Sequence, residues 1–233
     1  MKSPSALQIL QANSLPSLLQ AEIEQMILSG ELSARQRINE VELAERFRTS
    51  RGPVREALRA LEECGLVRAE RNRGTFVREV SLAEADEIYD VREALDELIG
   101  SRLAERITAA GLDMLRKLLA QMDAATASGD VKRYHKLNLE FHDALVDFVG
   151  NARLTETYRR LTKELLLFRL HGLQAGGGFE VSNAEHKAIV RAIASRDPVR
   201  AGRVLRAHAA DSRARMHKAA AKAMTEAARQ PSA

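Results

Sequence analysis

Apolar residues recur along this chain with two different periods, and the change of period divides it. Leu18, Leu19, Ile23, Met26 and Ile27 repeat at helical spacing up to Ser29 and Gly30, a helix stop. Asn39, with Glu42 three residues on, forms a capping-box pattern, and Leu43, Ala44 and Phe47 supply the buried face of a short second helix. Arg48, Thr49 and Ser50 make a tight connection into a third helix. There Ser50 suits the N-cap, Pro53 falls in the first turn where a missing backbone N–H is no loss, and Val54, Leu58 and Leu61 form the apolar face. Past Cys64 and Gly65 the pattern turns short and alternating. Leu66-Val67-Arg68-Ala69 and Thr75-Phe76-Val77 flank Arg71-Asn72-Arg73-Gly74, which predicts a β-hairpin.

From Ser81, itself in a second capping-box pattern with Glu84, the helical period returns and persists. Ile88, Val91, Leu95, Leu98, Ile99 and Leu103 mark one helix, and Leu115, Leu118, Leu119 and Met122 the next. Further helices are expected over roughly 131–149, stopped by Gly150 and Asn151, over roughly 154–173, ended by Gly176-Gly177-Gly178, and over roughly 182–194. Asp197-Pro198 opens the last one. The expected fold is therefore mostly α. A flexible arm (1–13) precedes a winged helix-turn-helix (14–79), an all-α bundle of about six helices follows (80–212), and a basic tail (213–233) ends the chain.

Composition sharpens this picture in two places. The net charge is only +4, yet residues 46–59 hold five arginines, and the chain turns basic again from Arg196. Arg51, Arg55 and Arg59 recur every four residues on one face of the third helix. Taken alone, such a row fits a solvated face paired with Glu56, Glu62 and Glu63 as well as it fits DNA. The hairpin decides between them: a solvated helix gives no reason for Arg71 and Arg73 at the tip of a basic hairpin directly after it, whereas a wing reaching phosphates or the minor groove does. A single cysteine, Cys64, excludes an internal disulfide framework and reads as a small packing residue. With no secretory signal and no apolar run near the ~18 residues a bilayer span needs, a soluble cytoplasmic protein is expected, with no membrane partner.

The bundle carries the second constellation. Asn138 and His142 stand four apart on one helix face, His186 shares an apolar stripe with Ile189 and Ile193, and His208 one with Val204 and Leu205. Three imidazoles and an amide oxygen from three helices can converge inside such a bundle. They suit a divalent metal, with zinc favoured and nickel or another ion possible, and leave a coordination position open. Each histidine taken singly reads equally as a hydrogen-bonded core residue. His135, seven residues before His142, is a rival ligand or a supporting partner, while His171 and His217 receive no role.

Residues 18–77 resemble the DNA-binding domain of the GntR family of bacterial transcription regulators, through Glu42-Leu43-Ala44, the run from Ser50 to Leu58, Leu61-Glu62, Gly65-Leu66-Val67 and Arg73-Gly74-Thr75-Phe76-Val77. Residues from about 84 to 212 resemble the FCD effector domain of the FadR-like branch, through Phe141-His142, Gly150-Asn151, Glu185-His186, Ala192-Ile193, Asp197, Ala201 and His208. The resemblance implies a non-enzymatic, ligand-controlled regulator, most often a repressor. It would bind a palindromic operator in double-stranded DNA as a homodimer and be released by a small carboxylic acid. Ser50, Arg51 and Arg55 match DNA-contacting positions of the family and Gly74 its wing tip; with Gly52, Arg59, Arg71 and Arg73 from the basic helix face and hairpin they make the expected DNA-contacting set, and Arg92 matches a position that often faces the effector pocket. Its bland alternative is a surface ion pair with Asp96. Many members join a carboxylate to the three histidines in holding metal, and here Asn138 stands at that position. Ala34-Arg35 replaces the usual Pro-Gly between the first two helices, which is expected to change the loop. Two alternatives stay open from the residues themselves: a metal-responsive regulator in which the ion is the signal, and a metal-dependent enzyme. The enzyme lacks any carboxylate, Ser or Cys visibly placed as base or nucleophile.

Overall fold

The computed structural model describes residues 14–170 and 179–229. The arm at 1–13, the glycine run at 176–178 and the last residues of the tail lie outside them. The described chain falls into two compact units, one made of residues 14–81 with 163–170 and the other of residues 82–162 with 179–229.

In the first unit, α1 (Leu15–Leu28), α2 (Glu40–Arg46) and α3 (Arg51–Glu63) are followed by a wing. The wing has three strands where the apolar pattern shows two. Strand β1 (Arg37–Ile38) joins β2 (Val67–Glu70) and β3 (Gly74–Val77) in the antiparallel order β1-β3-β2, with Arg37 opposite Phe76 and Ile38 opposite Thr75. Two residues of extended chain are too short for a period to register, so pairing with β3 and burial of Ile38 define the strand. Ile23 and Ile27 from α1, Val54 and Leu61 from α3, and Leu66 and Val77 from the wing make the core. The Asn39 carbonyl oxygen caps Val41 N at 3.0 Å, while Glu42 bonds the Asn39 side-chain amide at 2.8 Å, so the capping box closes side chain to side chain. Ser50 occupies the N-cap of α3 but makes no side-chain cap bond. Arg35 holds a left-handed φ of 60° and its amide bonds Val77 O at 3.1 Å, so the tight turn that Gly would favour is made here by an arginine. Within this unit Lys163 pairs with Glu24 at 2.8 Å and Arg78 with Glu164 at 2.8 Å.

The second unit is helical throughout its described residues: α4 (Leu82–Arg106), α5 (Ala109–Ala127), α6 (Val131–Val149), the first part of α7 (Ala152–Leu170), α8 (Phe179–Ala194) and α9 (Pro198–Arg229). The tail expected from residue 213 continues α9 as helix through Arg229. Ile99, Leu103, Leu115, Met122, Phe141 and Ile193 lie at the centre of one apolar core. Helices α4 and α9 approach closely because Gly100 lies against the backbone of Ala201 and Gly202 against that of Glu97; a Cβ on Gly100 would stand 2.5 Å from Ala201 O. This close packing sets the α9 histidine deep against its neighbours on α6 and α8.

Candidate functional site

The DNA-facing candidates form an exposed surface of the first unit. Ser50, Arg51, Gly52, Arg55 and Arg59 lie on the solvent side of α3, and Arg71, Arg73 and Gly74 at the wing tip. The turn that presents them depends on left-handed Asn72 and Gly74, at φ 61° and 102°. Arg51 Nη2 and Arg55 Nε both reach one carboxylate oxygen of Glu40 on α2, at 3.0 and 2.7 Å. Burial raises the Glu40 pKa, but the hydrogen bonds and charge of the two arginines outweigh it and hold the carboxyl below its usual value. Arg73 pairs with Glu70 at 2.5 Å and lies over the Phe76 ring. Arg59 and Arg71 make no ion pair among the described residues.

The second unit buries a polar cluster. His142 on α6, His186 on α8 and His208 on α9 are 8%, 0% and 5% exposed. His142 Nε2 lies 3.3 Å from both His186 Nε2 and His208 Nε2, and all three ligand atoms fall within 4.8 Å of one another. Each ring has its other nitrogen turned outward onto a partner: His142 Nδ1 to Tyr158 Oη at 3.4 Å, His186 Nδ1 to Tyr134 Oη at 3.4 Å, and His208 Nδ1 to Glu185 Oε2 at 2.7 Å. Burial and the charge of His208 push the His186 pKa well below the usual imidazole value, so that ring is neutral.

This donor set fits a divalent ion. Nitrogens about 2.05 Å from a tetrahedral centre are separated by about 3.3 Å, the spacing found between His142 Nε2 and its two neighbours. Three converging imidazole nitrogens can offer lone pairs to an ion, and the outward partners are the kind of outer-sphere groups that orient metal-bound imidazoles. Asn138 is half-buried one turn before His142 on α6, and its side chain makes no hydrogen bond among the described residues. His135 is exposed and outside the cluster, because seven residues return it to nearly the same angle but two turns away along the axis. His217 bonds Asp86 at 2.7 Å on the surface, and Cys64, half-buried, accepts a long bond from Gln20 at 3.9 Å.

Arg92 is not on the surface, as its bland reading required. It is 7% exposed and pairs with Asp96, itself 2% exposed, at 3.2 Å. Its Nη2 also donates to Tyr158 Oη at 2.7 Å, and that hydroxyl donates to Asp96 Oδ1 at 3.0 Å. Burial works against the Arg92 charge, but Tyr158 and Asp96 outweigh it and raise the pKa; burial likewise lifts the Asp96 and Tyr158 pKa values. The guanidinium Nε stays buried without a partner. Tyr158, Tyr134 and Arg215 are site residues that the sequence pattern does not single out; Glu185 entered only beside His186 in the family resemblance and Asp96 only as an acid one turn from Arg92.

A winged helix-turn-helix and a helical unit enclosing a three-histidine cluster define the class of a DNA-binding regulator. The model of the bacterial regulatory proteins of the gntR family matches residues 17–77, and that of the FCD domain matches residues 87–211, more than half the chain. The chain belongs to the GntR family of DNA-binding transcriptional regulators, in its FCD-domain form. The HTH-type transcriptional regulator YdhC of Bacillus subtilis is 29% identical over 188 residues, 80% of this chain and 84% of that protein. The gluconate operon transcriptional repressor of Bacillus licheniformis is 26% identical over 181 residues, 76% and 74% of the two chains. Among solved structures, E. coli McbR/YncC superposes with a TM-score of 0.75 at 22% identity, covering 88% of this chain and 98% of that one. These relatives are regulators, and the chain is not an enzyme. Among the described residues no helix is long and apolar enough to cross a membrane.

Proposed function

We propose that this chain is a homodimeric repressor whose hold on a palindromic operator is controlled by a small carboxylic acid bound beside a divalent metal in the helical unit. Residues 14–79 serve as the DNA-binding head and residues 80–212 as the sensor and dimer-forming part. The observation that carries the reading is the convergence of His142, His186 and His208 Nε2 atoms in a buried site with outward nitrogens held by Tyr158, Tyr134 and Glu185. These three histidines would hold the ion, with the Asn138 amide as a further donor. A bound ion supplies an open coordination position for a carboxylate oxygen. Because none of the four donors is anionic, an acid that brings negative charge is the chemistry such a centre favours. Arg92 contributes less charge than an isolated guanidinium, since Asp96 balances it, and offers its unpartnered Nε as a donor.

On the DNA side, Arg51 and Arg55 exchange the shared Glu40 carboxylate for base edges or phosphate, with Ser50, Gly52 and Arg59 on the same face and Arg71, Arg73 and Gly74 along the backbone. Gluconate-operon repression by a relative supports the negative sign of control. The test is release of labelled operator by a panel of small carboxylic acids, run on metal-loaded and chelator-stripped protein. Release by an acid only from loaded protein upholds the reading. Release by metal alone, without acid, makes the ion the signal; acid response unaffected by stripping removes the metal from the mechanism. Operator binding should also weaken steeply with salt.

A further inference from the structure

We infer that Glu185 is the positioning residue of the three-histidine centre: it fixes which nitrogen of His208 faces inward, and Arg215 locks it in that task. The inference rests on the metal reading above and concerns how this chain presents its ligands.

The three outward partners of the histidines differ in kind. Tyr134 and Tyr158 stand 3.4 Å from their rings, long for a hydrogen bond; the Tyr134 hydroxyl can donate or accept, while the Tyr158 hydroxyl, whose hydrogen goes to Asp96, is left to accept. Glu185 Oε2 stands 2.7 Å from His208 Nδ1. An ionised carboxylate can only accept, so His208 carries a hydrogen on Nδ1, and in the neutral ring the Nε2 lone pair then faces the centre. Arg215 holds the carboxylate in place. Its Nη1 and Nη2 grip Glu185 Oε1 and Oε2 at 2.5 and 2.9 Å, and Nη2 also reaches Ser212 Oγ at 2.9 Å.

Placement in the fold makes this linkage possible. Glu185 and His186 are neighbours on α8, so when His186 points into the centre Glu185 is turned about 100° from it, toward α9. His208 and Arg215 lie seven residues apart on α9, two turns along one face, and Glu185 bridges them from the neighbouring helix. The fully buried carboxylate near the centre, Asp96, does not do the same: it bonds Arg92 and Tyr158 and reaches His142 only through the tyrosine hydroxyl.

The full-length protein is loaded with Co²⁺, and its affinity is read from the visible absorption of the bound ion for wild type, Glu185→Ala, Glu185→Gln and Tyr134→Phe. Glu185→Ala should weaken Co²⁺ binding about 10–100-fold. Glu185→Gln, whose amide oxygen can still accept from Nδ1, should lose less, and Tyr134→Phe least of all. In the metal-free state, ¹⁵N chemical shifts of the imidazoles should show His208 as the Nδ1–H tautomer in wild type and as a mixture in Glu185→Ala, a change that lost stability alone would not produce. Should Glu185→Ala fail to fold, the Gln variant carries both readouts. Wild-type affinity and an unchanged His208 tautomer in the folded variants overturn the inference while leaving the metal reading standing. A wild type that binds no Co²⁺ overturns both.

Discussion

Two sets of arginines, one in each unit, are held in opposite ways. In the winged unit, Arg51 and Arg55 are each about half exposed, at 53%, and share one carboxylate of Glu40. In the helical unit, Arg92 is buried with Asp96 and Tyr158, and Arg215 grips Glu185 with both terminal nitrogens. Exposed pairs contribute little to stability because water and salt compete for both charges, so their guanidiniums can be traded for DNA at small cost. Buried pairs have lost that competition, and removing one partner strands the other in a poorly solvated place. The same side chain is thus free to exchange partners in one place and a fixed strut in the other, and burial decides which.

The contrast breaks first at Arg92. Arg92→Ala leaves Asp96 and Tyr158 buried without their donor and should cost about 3–5 kcal/mol of stability in denaturant unfolding. A loss under about 1 kcal/mol would mean that the pair is solvated. Arg55→Ala should change stability by under about 0.5 kcal/mol, yet cost about 1–3 kcal/mol in operator affinity. An equal loss on random DNA would make Arg55 a phosphate contact and not a base reader. Smaller still, Glu40→Gln removes the carboxylate that both arginines share. It should leave stability within about 0.5 kcal/mol, tighten binding to random DNA and steepen its salt dependence. The smallest effect falls at Arg35, where Arg35→Gly relieves a left-handed backbone and should raise stability by less than about 1 kcal/mol, because glycine's greater freedom when unfolded offsets part of the gain.

Legibility followed the range of the interaction. Helix α3 was visible because Ser50, Pro53, Val54, Leu58 and Leu61 lie within one window of helical period. The inward turn of His186 and His208 followed likewise from their apolar neighbours Ile189, Ile193 and Leu205. What supports those rings did not, because it joins residues far apart in the chain. Glu185 meets His208 across 23 positions and Tyr158 meets Asp96 across 62, and no local pattern encodes either pairing. For Arg92 the sequence left a pocket-facing side chain and a surface ion pair both open, for a related reason. An acid one turn from an arginine looks the same in a sequence whether the pair is wet or buried, and only the packing of Tyr89 and Tyr158 around it decides. Strand β1 escaped because its two residues become a strand only by pairing with β3. Arg35, where Ala34-Arg35 stands in place of Pro-Gly, holds the left-handed backbone that a glycine would favour, and residue type alone does not show that.

The central claim is that the buried histidines join metal and acid to control of the DNA-binding head. The most direct measurement is metal content by elemental analysis on the same samples whose operator release by an acid is titrated, for wild type and His142→Ala. The account requires about one divalent ion per wild-type chain and release by the acid, with both lost in a folded His142→Ala protein that still binds operator. A metal-free wild type, or a His142→Ala variant that releases operator at the same acid concentration, would contradict it.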